Sequence, residues 1–277
     1  MRVGLVQMNS GIDRMRNLDE ATRLIREAAA RGADLIATPE MTTLLDRNSD
    51  RLFGNLPAPD AMPEVDAFSA LARDLGAHLL IGSMPVAVER GETRKFANRS
   101  FLFGPRGAVA TYDKIHLFDV DLPTGESWKE SNTVAGGDKA VLANTPLGGI
   151  GMSVCYDLRF PHHFRRLAQA GASILAVPAA FTVPTGEAHW HVLLRARAIE
   201  TGSYVIAPAQ GGQHEDGRAT YGHSLIVDPW GTILAEQPNN QPGVIVADID
   251  LDKVADVRRR VPNLTLDRDV ETRIYEL

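Results

Sequence analysis

Cys155, the only cysteine in the chain, ends the apolar run Gly149-Ile-Gly-Met-Ser-Val154 and is followed by Tyr-Asp-Leu-Arg-Phe-Pro161. A lone thiol has two uses. It can pack as a small hydrophobe, or it can attack carbon if a base removes its proton, because a free thiol with a reference pKa of about 8.5 is mostly protonated at neutral pH. Ligand sites of α/β sheets lie where strands end, and that is where Cys155 stands. His116, His189, His191 and His223 are candidate partners for a Cys–His pair. Glu40 is another base, closing the run Asp34-Leu-Ile-Ala-Thr-Pro-Glu40 at a second strand end, where it is either a base shielded from water or an exposed loop residue. Lys114 interrupts the otherwise buriable segment Thr111-Tyr-Asp-Lys-Ile-His-Leu-Phe118, although most lysines are simply solvated.

Metal chemistry is not expected. His162-His163 are adjacent and His189-Trp-His191 are two apart, spacings that do not place both rings on one helix face, and no second cysteine completes a ligand set. A formal net charge of −6 without a dense Lys/Arg block argues against general nucleic-acid binding, and no apolar run is long enough to span a membrane. One cysteine forms no internal disulfide, and Met1–Gln7 does not open a secretory signal, so a cytoplasmic location is expected. The expected partners are a small molecule and further copies of the chain.

Glu40 and Cys155 at two strand ends, and Lys114 inside a buriable segment, need a frame that brings them together. Short apolar runs alternate with helical patterns in a βαβαβ order: Val3–Gln7, a helix over Leu18–Arg31, Asp34–Ala37, a helix over Pro63–Leu75 and His78–Ile81. Residues 100–150 read as strands joined by turns, with hairpin connections at Phe103–Gly107 and Gly136-Gly-Asp138. The alternation resumes with a strand to Val154, a helix over Pro161–Ala170, strand Ser173–Val177, helix Glu187–Glu200 and strands Tyr204–Ala207, Ser224–Val227 and Val244–Ile249. Without a linker or repeat, this predicts one domain of two sheets with helices outside, spanning 1–254. Residues 255–277 follow as a polar tail, either solvated or docked on a partner subunit.

Taken together, Thr38-Pro-Glu40, Tyr112-Asp-Lys-Ile-His-Leu-Phe118 and Gly151-Met-Ser-Val-Cys-Tyr-Asp-Leu-Arg-Phe-Pro161 resemble the three signatures of the nitrilase superfamily of carbon–nitrogen hydrolases. The resemblance runs from Met1 to about Val254. It implies an α/β fold, a four-layer αββα sandwich, with a Glu40–Lys114–Cys155 triad, no cofactor and a homodimer. A further family glutamate falls on Glu130 in Trp128-Lys-Glu-Ser131 or on Glu126 nearby, with Glu130 the better match. Thr38 stands where the family more often has a bulky apolar residue. Ala188-His-Trp-His-Val-Leu-Leu-Arg-Ala-Arg-Ala-Ile-Glu200 and Tyr221–Gly231 are similar to the Nit branch, which includes deaminated glutathione amidase and ω-amidase, with the closer likeness to the first. The implied reaction is cysteine-dependent hydrolysis of a small amide through a thioester, releasing 2-oxoglutarate and cysteinylglycine from deaminated glutathione. α-Ketoglutaramate is the alternative substrate, and a catalytically silent dimeric binding protein the alternative of another class. The Tyr156 N–H is expected to stabilise the oxyanion, and Arg159, Thr182, His189, Arg195 and Arg197 to lie near the mouth; the bland role for Arg195 and Arg197 is a helix face with structural ion pairs.

Overall fold

The computed structural model describes residues 1–58, 61–90, 93–121, 125 and 127–276. The first half runs β1 (Arg2–Gln7), α1 (Arg14–Ala30), β2 (Leu35–Ala37), α2 (Ser49–Asn55), α3 (Pro63–Leu75), β3 (His78–Arg90), β4 (Thr93–Gly104) and β5 (Gly107–Asp113). A small hairpin of β6 (Asp119–Asp121) and β7 (Ser127–Lys129) follows. The second half contains β8 (Val141–Thr145), β9 (Gly148–Met152), α4 (Pro161–Gln169), β10 (Ile174–Ala176), α5 (Val183–Thr201), β11 (Tyr204–Ala207), β12 (Gly211–Gln213) and β13 (Ala219–Tyr221). It closes with β14 (Leu225–Val227), β15 (Ile233–Glu236), β16 (Gly243–Asp248) and α6 (Asp252–Arg260).

Two six-stranded sheets share one plan. In the order β16-β1-β2-β3-β4-β5, the trio β1, β2 and β3 is parallel, with antiparallel strands on both sides. In the order β15-β14-β11-β10-β9-β8, the parallel trio is β9, β10 and β11. Side chains alternate across a strand, and here both faces are buried. Val3, Leu5, Leu35, Ala37 and Leu80 join the central core with Ile150, Met152, Ile174 and Ala176. The intervening Val6, Ile36, Leu79 and Ile81 turn outward onto α1 and α3 through Leu24, Ile25, Phe68 and Leu71. On the other side Phe164 and Leu167 of α4 and Trp190 and Leu194 of α5 cover the second sheet. The molecule is therefore the four-layer αββα sandwich that the family resemblance implies.

Three local expectations need correction. Gly136-Gly137 is not a hairpin: β8 begins only at Val141, and a side chain on Gly137 would sit 2.3 Å from the Asp113 carbonyl oxygen, so the glycine serves a close backbone crossing. The helix expected from Glu187 starts at Val183, with a proline in its first turn. The boundary at 254/255 falls inside α6, which buries Val254 and Val257. Arg258 donates from Nη2 to the Ala172 carbonyl at 2.5 Å and from Nε to the Thr201 carbonyl at 3.1 Å.

Gly82 sits at the β3 irregularity between Ile81 and Met84, where the chain passes behind Glu40. A methyl group there would lie 2.1 Å from the Thr38 carbonyl oxygen and 2.5 Å from Pro178. Thr38 itself is fully buried, and its hydroxyl accepts from Gly82 N–H at 3.1 Å and pairs with Thr42 Oγ1 at 2.8 Å. A hydroxyl thus braces the Glu40 turn where the family resemblance leads one to expect apolar packing. Gly82→Ala should cost at least about 1–3 kcal/mol through forced displacement of packed backbone, read as a lowered urea midpoint with an unchanged slope.

Candidate active site

Glu40, Lys114 and Cys155 come from three separate connections. Glu40 lies just beyond β2, Lys114 just beyond β5, and Cys155 opens the 3-10 turn Cys155–Arg159 after β9. All three are buried, at 4%, 2% and 8% exposure, and all line one cavity of about 450 Å³. That size falls within the roughly 300–1,000 Å³ of small-molecule sites.

Lys114 Nζ donates to Glu40 Oε1 at 2.9 Å and to Glu130 Oε1 at 2.8 Å. Glu130 is fixed in turn by the Phe118 N–H, which donates to its Oε2 at 2.6 Å. Glu126 lies outside the described residues. Glu40 Oε1 also accepts from Asn98 Nδ2 at 2.8 Å, while Oε2 accepts from the Ala180 N–H at 2.9 Å. Gln210, fully buried, donates to the Glu40 backbone carbonyl at 3.0 Å. Cys155 lines the same cavity as Glu40 and Lys114, and the charges of both act on its thiol.

Burial alone would lower the Lys114 pKa, but the charges of Glu130 and Glu40 outweigh it and hold the ammonium well above the ordinary lysine value. Burial and the Glu40 charge together raise the Cys155 thiol well above its ordinary value, against the pull of Lys114. The resting arrangement is therefore a protonated thiol beside a carboxylate and an ammonium, and no standing thiolate is needed.

Two residues at the site have left-handed backbone: Met41 at φ +56° and Cys155 at φ +50°. Such conformations cost about 1–3 kcal/mol each and persist only where the surroundings enforce them. Ser83 Oγ accepts from Met41 N–H at 2.8 Å, and the Pro178 carbonyl accepts from Cys155 N–H at 2.9 Å. The second enforced turn continues with Tyr156, whose N–H is among the donors that a helical first turn leaves without an internal partner.

Asp157 joins two of the sequence motifs. Fully buried, it accepts from Tyr112 Oη at 2.7 Å, Val154 N–H at 2.8 Å and His116 N–H at 3.0 Å, and it pairs with His116 Nδ1 at 2.6 Å. Burial would raise its pKa, but these hydrogen bonds prevail and hold the carboxyl below its ordinary value. A depressed folded-state pKa gives stability that is present above the unfolded value of about 3.9 and is lost as pH falls through the lower folded value. Asp157→Asn should leave buried donors unpaired at about 1–3 kcal/mol each. Urea melts at pH 7 and pH 3 should show a smaller acid loss for the variant than for the wild type.

No histidine lines the cavity among the described residues. His116 is stacked on Phe160 with ring centroids 3.5 Å apart. Of the residues expected near the mouth, Tyr156 and Thr182 line the cavity, whereas Arg159, His189, Arg195 and Arg197 do not. Arg159 turns toward His189, with guanidinium nitrogens 3.4 Å from Nδ1. Arg195 donates to the Gly231 carbonyl at 2.8 Å and so braces the β14–β15 turn. Arg197 donates to the Leu158 carbonyl at 2.8 Å and steadies the turn after Cys155. Sequence reasoning misses Asn98 and Gln210, which hold Glu40, and Arg47, Trp128 and Arg218 in the cavity lining. Asn98 and Gln210 are inward polar positions next to strand patterns, a weak signal that the chain does carry.

Away from the cavity, His191 and His223 meet on Glu236 Oε1 at 2.8 and 3.0 Å. The three offer ligand atoms within 4.8 Å of one another, a grouping that spacing within one helix does not reveal. Burial would raise the Glu236 pKa, and the two imidazole hydrogen bonds lower it instead.

Similar proteins are known across nearly the whole chain. The chain is 42% identical over 262 residues to the deaminated glutathione amidase of Synechocystis sp. (strain PCC 6803 / GT-S), covering 94% of this chain and 95% of that one. It superposes on the C. elegans NitFhit protein with a TM-score of 0.89 at 33% identity, covering 96% of this chain and 65% of that longer one. A mutant of the amidase from Nesterenkonia sp. AN1, which shows the Michael addition of acrylamide at its active-site cysteine, matches with a TM-score of 0.76 at 25% identity over 95% of this chain and 98% of that one. Residues 2–259 match the carbon–nitrogen hydrolase family model, and the chain belongs to that family.

Proposed function

We propose that this carbon–nitrogen hydrolase is an amidase that uses Cys155, Glu40 and Lys114 to cleave deaminated glutathione, releasing 2-oxoglutarate and cysteinylglycine. The observation that carries this reading is one cavity lined by Cys155, Glu40 and Lys114, in which the Glu40 carboxylate is held against the Lys114 ammonium. Glu40 takes the thiol proton as sulfur bonds to the amide carbon, and the carbonyl electron pair moves to oxygen. Lys114 Nζ and the Tyr156 N–H stabilise that oxyanion. As the C–N bond breaks, Glu40 returns the proton to the departing amine and leaves a thioester on Cys155. Glu40 then takes a proton from water, hydroxide attacks the thioester, and the sulfur departs with the proton from Glu40. Glu130 holds Lys114 between two carboxylates. The substrate assignment is supported by the 42% identity to a deaminated glutathione amidase across nearly the whole of both chains.

Dimerisation through the C-terminal region fits the same reading. Beyond α6, Leu266, Val270, Ile274 and Tyr275 are exposed, and Arg165 of α4 contacts Asp267. A cytoplasmic setting suits an enzyme that works through one free thiol.

The test is a steady-state comparison of deaminated glutathione, α-ketoglutaramate, N-carbamoyl amino acids and simple nitriles. The highest kcat/KM is expected for deaminated glutathione. Preferred ammonia release from α-ketoglutaramate would replace it with the ω-amidase assignment, and failure on all four would remove the amidase reading.

A further inference from the structure

The cavity carries a second cluster that the hydrolytic steps do not use. Trp128 at the middle of β7 has the Arg47 guanidinium 4.8 Å from its ring centroid and the Arg218 guanidinium at 5.5 Å. All three residues line the same cavity as Cys155. Arg218 is tied down: its Nε donates to Asp216 Oδ2 at 2.7 Å, and Asp216 Oδ1 accepts the Arg218 N–H at 3.0 Å. Burial lowers the Arg218 pKa against the opposing charge and hydrogen bond of Asp216, and the nearby charge of Arg47 adds to the lowering. Two like charges on one indole therefore work against each other. Arg47 has no carboxylate partner among the described residues, whereas its neighbour Asp46 is engaged by Arg51 Nε at 2.5 Å. The indole Nε1–H is buried without an acceptor among the described residues.

These features ask for one kind of group. A carboxylate seated beside the two guanidinium groups would relieve the Arg47–Arg218 repulsion and take planar guanidinium donors. We propose that Arg47, Trp128 and Arg218 form a binding subsite for a carboxylate on the leaving-amine side of the substrate, which selects amides whose released amine is itself a carboxylate-ended dipeptide. This deepens the amidase reading and rests on it for the identity of the scissile bond. It also gives a physical reason for a preference over α-ketoglutaramate, whose leaving group is only ammonia and reaches no such subsite.

The probes are deaminated glutathione and its C-terminal glycinamide, which differ only in the distal carboxylate. Their binding to Cys155→Ala protein is measured by calorimetry, and their turnover by wild-type enzyme is measured in parallel. The carboxylate form should bind at least about 10-fold more tightly, and this preference should fall below about threefold when Arg47→Gln is added. Arg218→Lys keeps a cation for Asp216 and loses the planar fork. It should also reduce the preference, through KM rather than kcat when introduced into the wild-type enzyme. Equal binding of the two probes, no binding of either, or a preference that survives both substitutions in folded protein would overturn the subsite. If the carboxylate preference is found but wild-type enzyme turns over neither probe, the subsite stands and the amidase reading fails.

Discussion

Cys155→Ala should abolish amide turnover, with kcat falling by at least about 10⁴-fold, while the protein stays folded. The size of the loss follows from the loss of the covalent route: removing a nucleophile that acts as a unit with its base costs nearly as much as removing the whole set. The small effect on stability follows from location. Cys155 is 8% exposed at a cavity wall and packs little apolar surface beyond its sulfur. Alanine adopts φ +50° about as poorly as cysteine, so the strain is unchanged. The Pro178 carbonyl still accepts the backbone N–H. A thermal midpoint within a few degrees of wild type, with turnover gone, is the expected pair of results. Loss of both would contradict the minor structural role assigned to the thiol.

Lys114→Met should damage both properties. The side chain is buried and its ammonium lies within 2.9 Å of two carboxylates, Glu40 and Glu130. Methionine approximates its volume and supplies no charge, so two buried carboxylates face each other without a cation. Breaking a buried ionic set by removing one partner costs about 3–5 kcal/mol, a fall in thermal midpoint on the order of 10 °C for a chain of this size. Loss of one oxyanion donor adds about 2.7–4 kcal/mol to the barrier, or roughly 10²–10³ in kcat. The pH dependence has a definite sign. The folded-state pKa of Lys114 is raised, so its contribution to stability is fully present below the unfolded lysine value of about 10.4 and is lost only as pH rises through the higher folded value. Wild-type stability should therefore hold through moderately alkaline pH. The variant, compared with wild type at neutral pH by urea denaturation, should show the full deficit.

Much of this site is legible in the chain because its chemistry sits where apolar runs stop. Leu35–Ala37, Gly148–Met152 and Ile174–Ala176 lie in the buried centre of the sandwich, so the polar residue that ends such a run is conspicuous. Glu40 and Cys155 stand out in that way, Lys114 stands out as a cation inside a buriable segment, and only their combination singles them out. The residues that hold them are less visible. Asn98 lies in step with buried Phe96 and Ser100 on β4 and reads as one more polar interruption, yet it donates to the Glu40 carboxylate. Positive φ at Met41 and Cys155 leaves no mark, because neither residue is a glycine. Arg47 and Arg218 stand in loops, and nothing local announces that a tryptophan from β7 will meet both segments.

The same limits explain the misplaced elements. A pair of glycines signals a turn, but Gly137 is small because the Asp113 backbone crosses it. The C-terminal helix α6 reads as too polar to pack, yet arginine can dock by donating to buried carbonyls, as Arg258 does. Arg195 and Arg197 carry the charge that suits a substrate carboxylate, but their guanidinium groups are already committed to the Gly231 and Leu158 carbonyls.

The central claim is that Cys155 carries the acyl group during turnover. Intact-mass and peptide mass spectrometry of enzyme acid-quenched while hydrolysing deaminated glutathione tests it directly. The expected result is a fraction of the protein heavier by one 2-oxoglutaryl group, with the adduct confined to the peptide containing Cys155 and absent from Cys155→Ala. Rapid turnover by that variant, or wild-type turnover with the acyl group found on another residue, would contradict it.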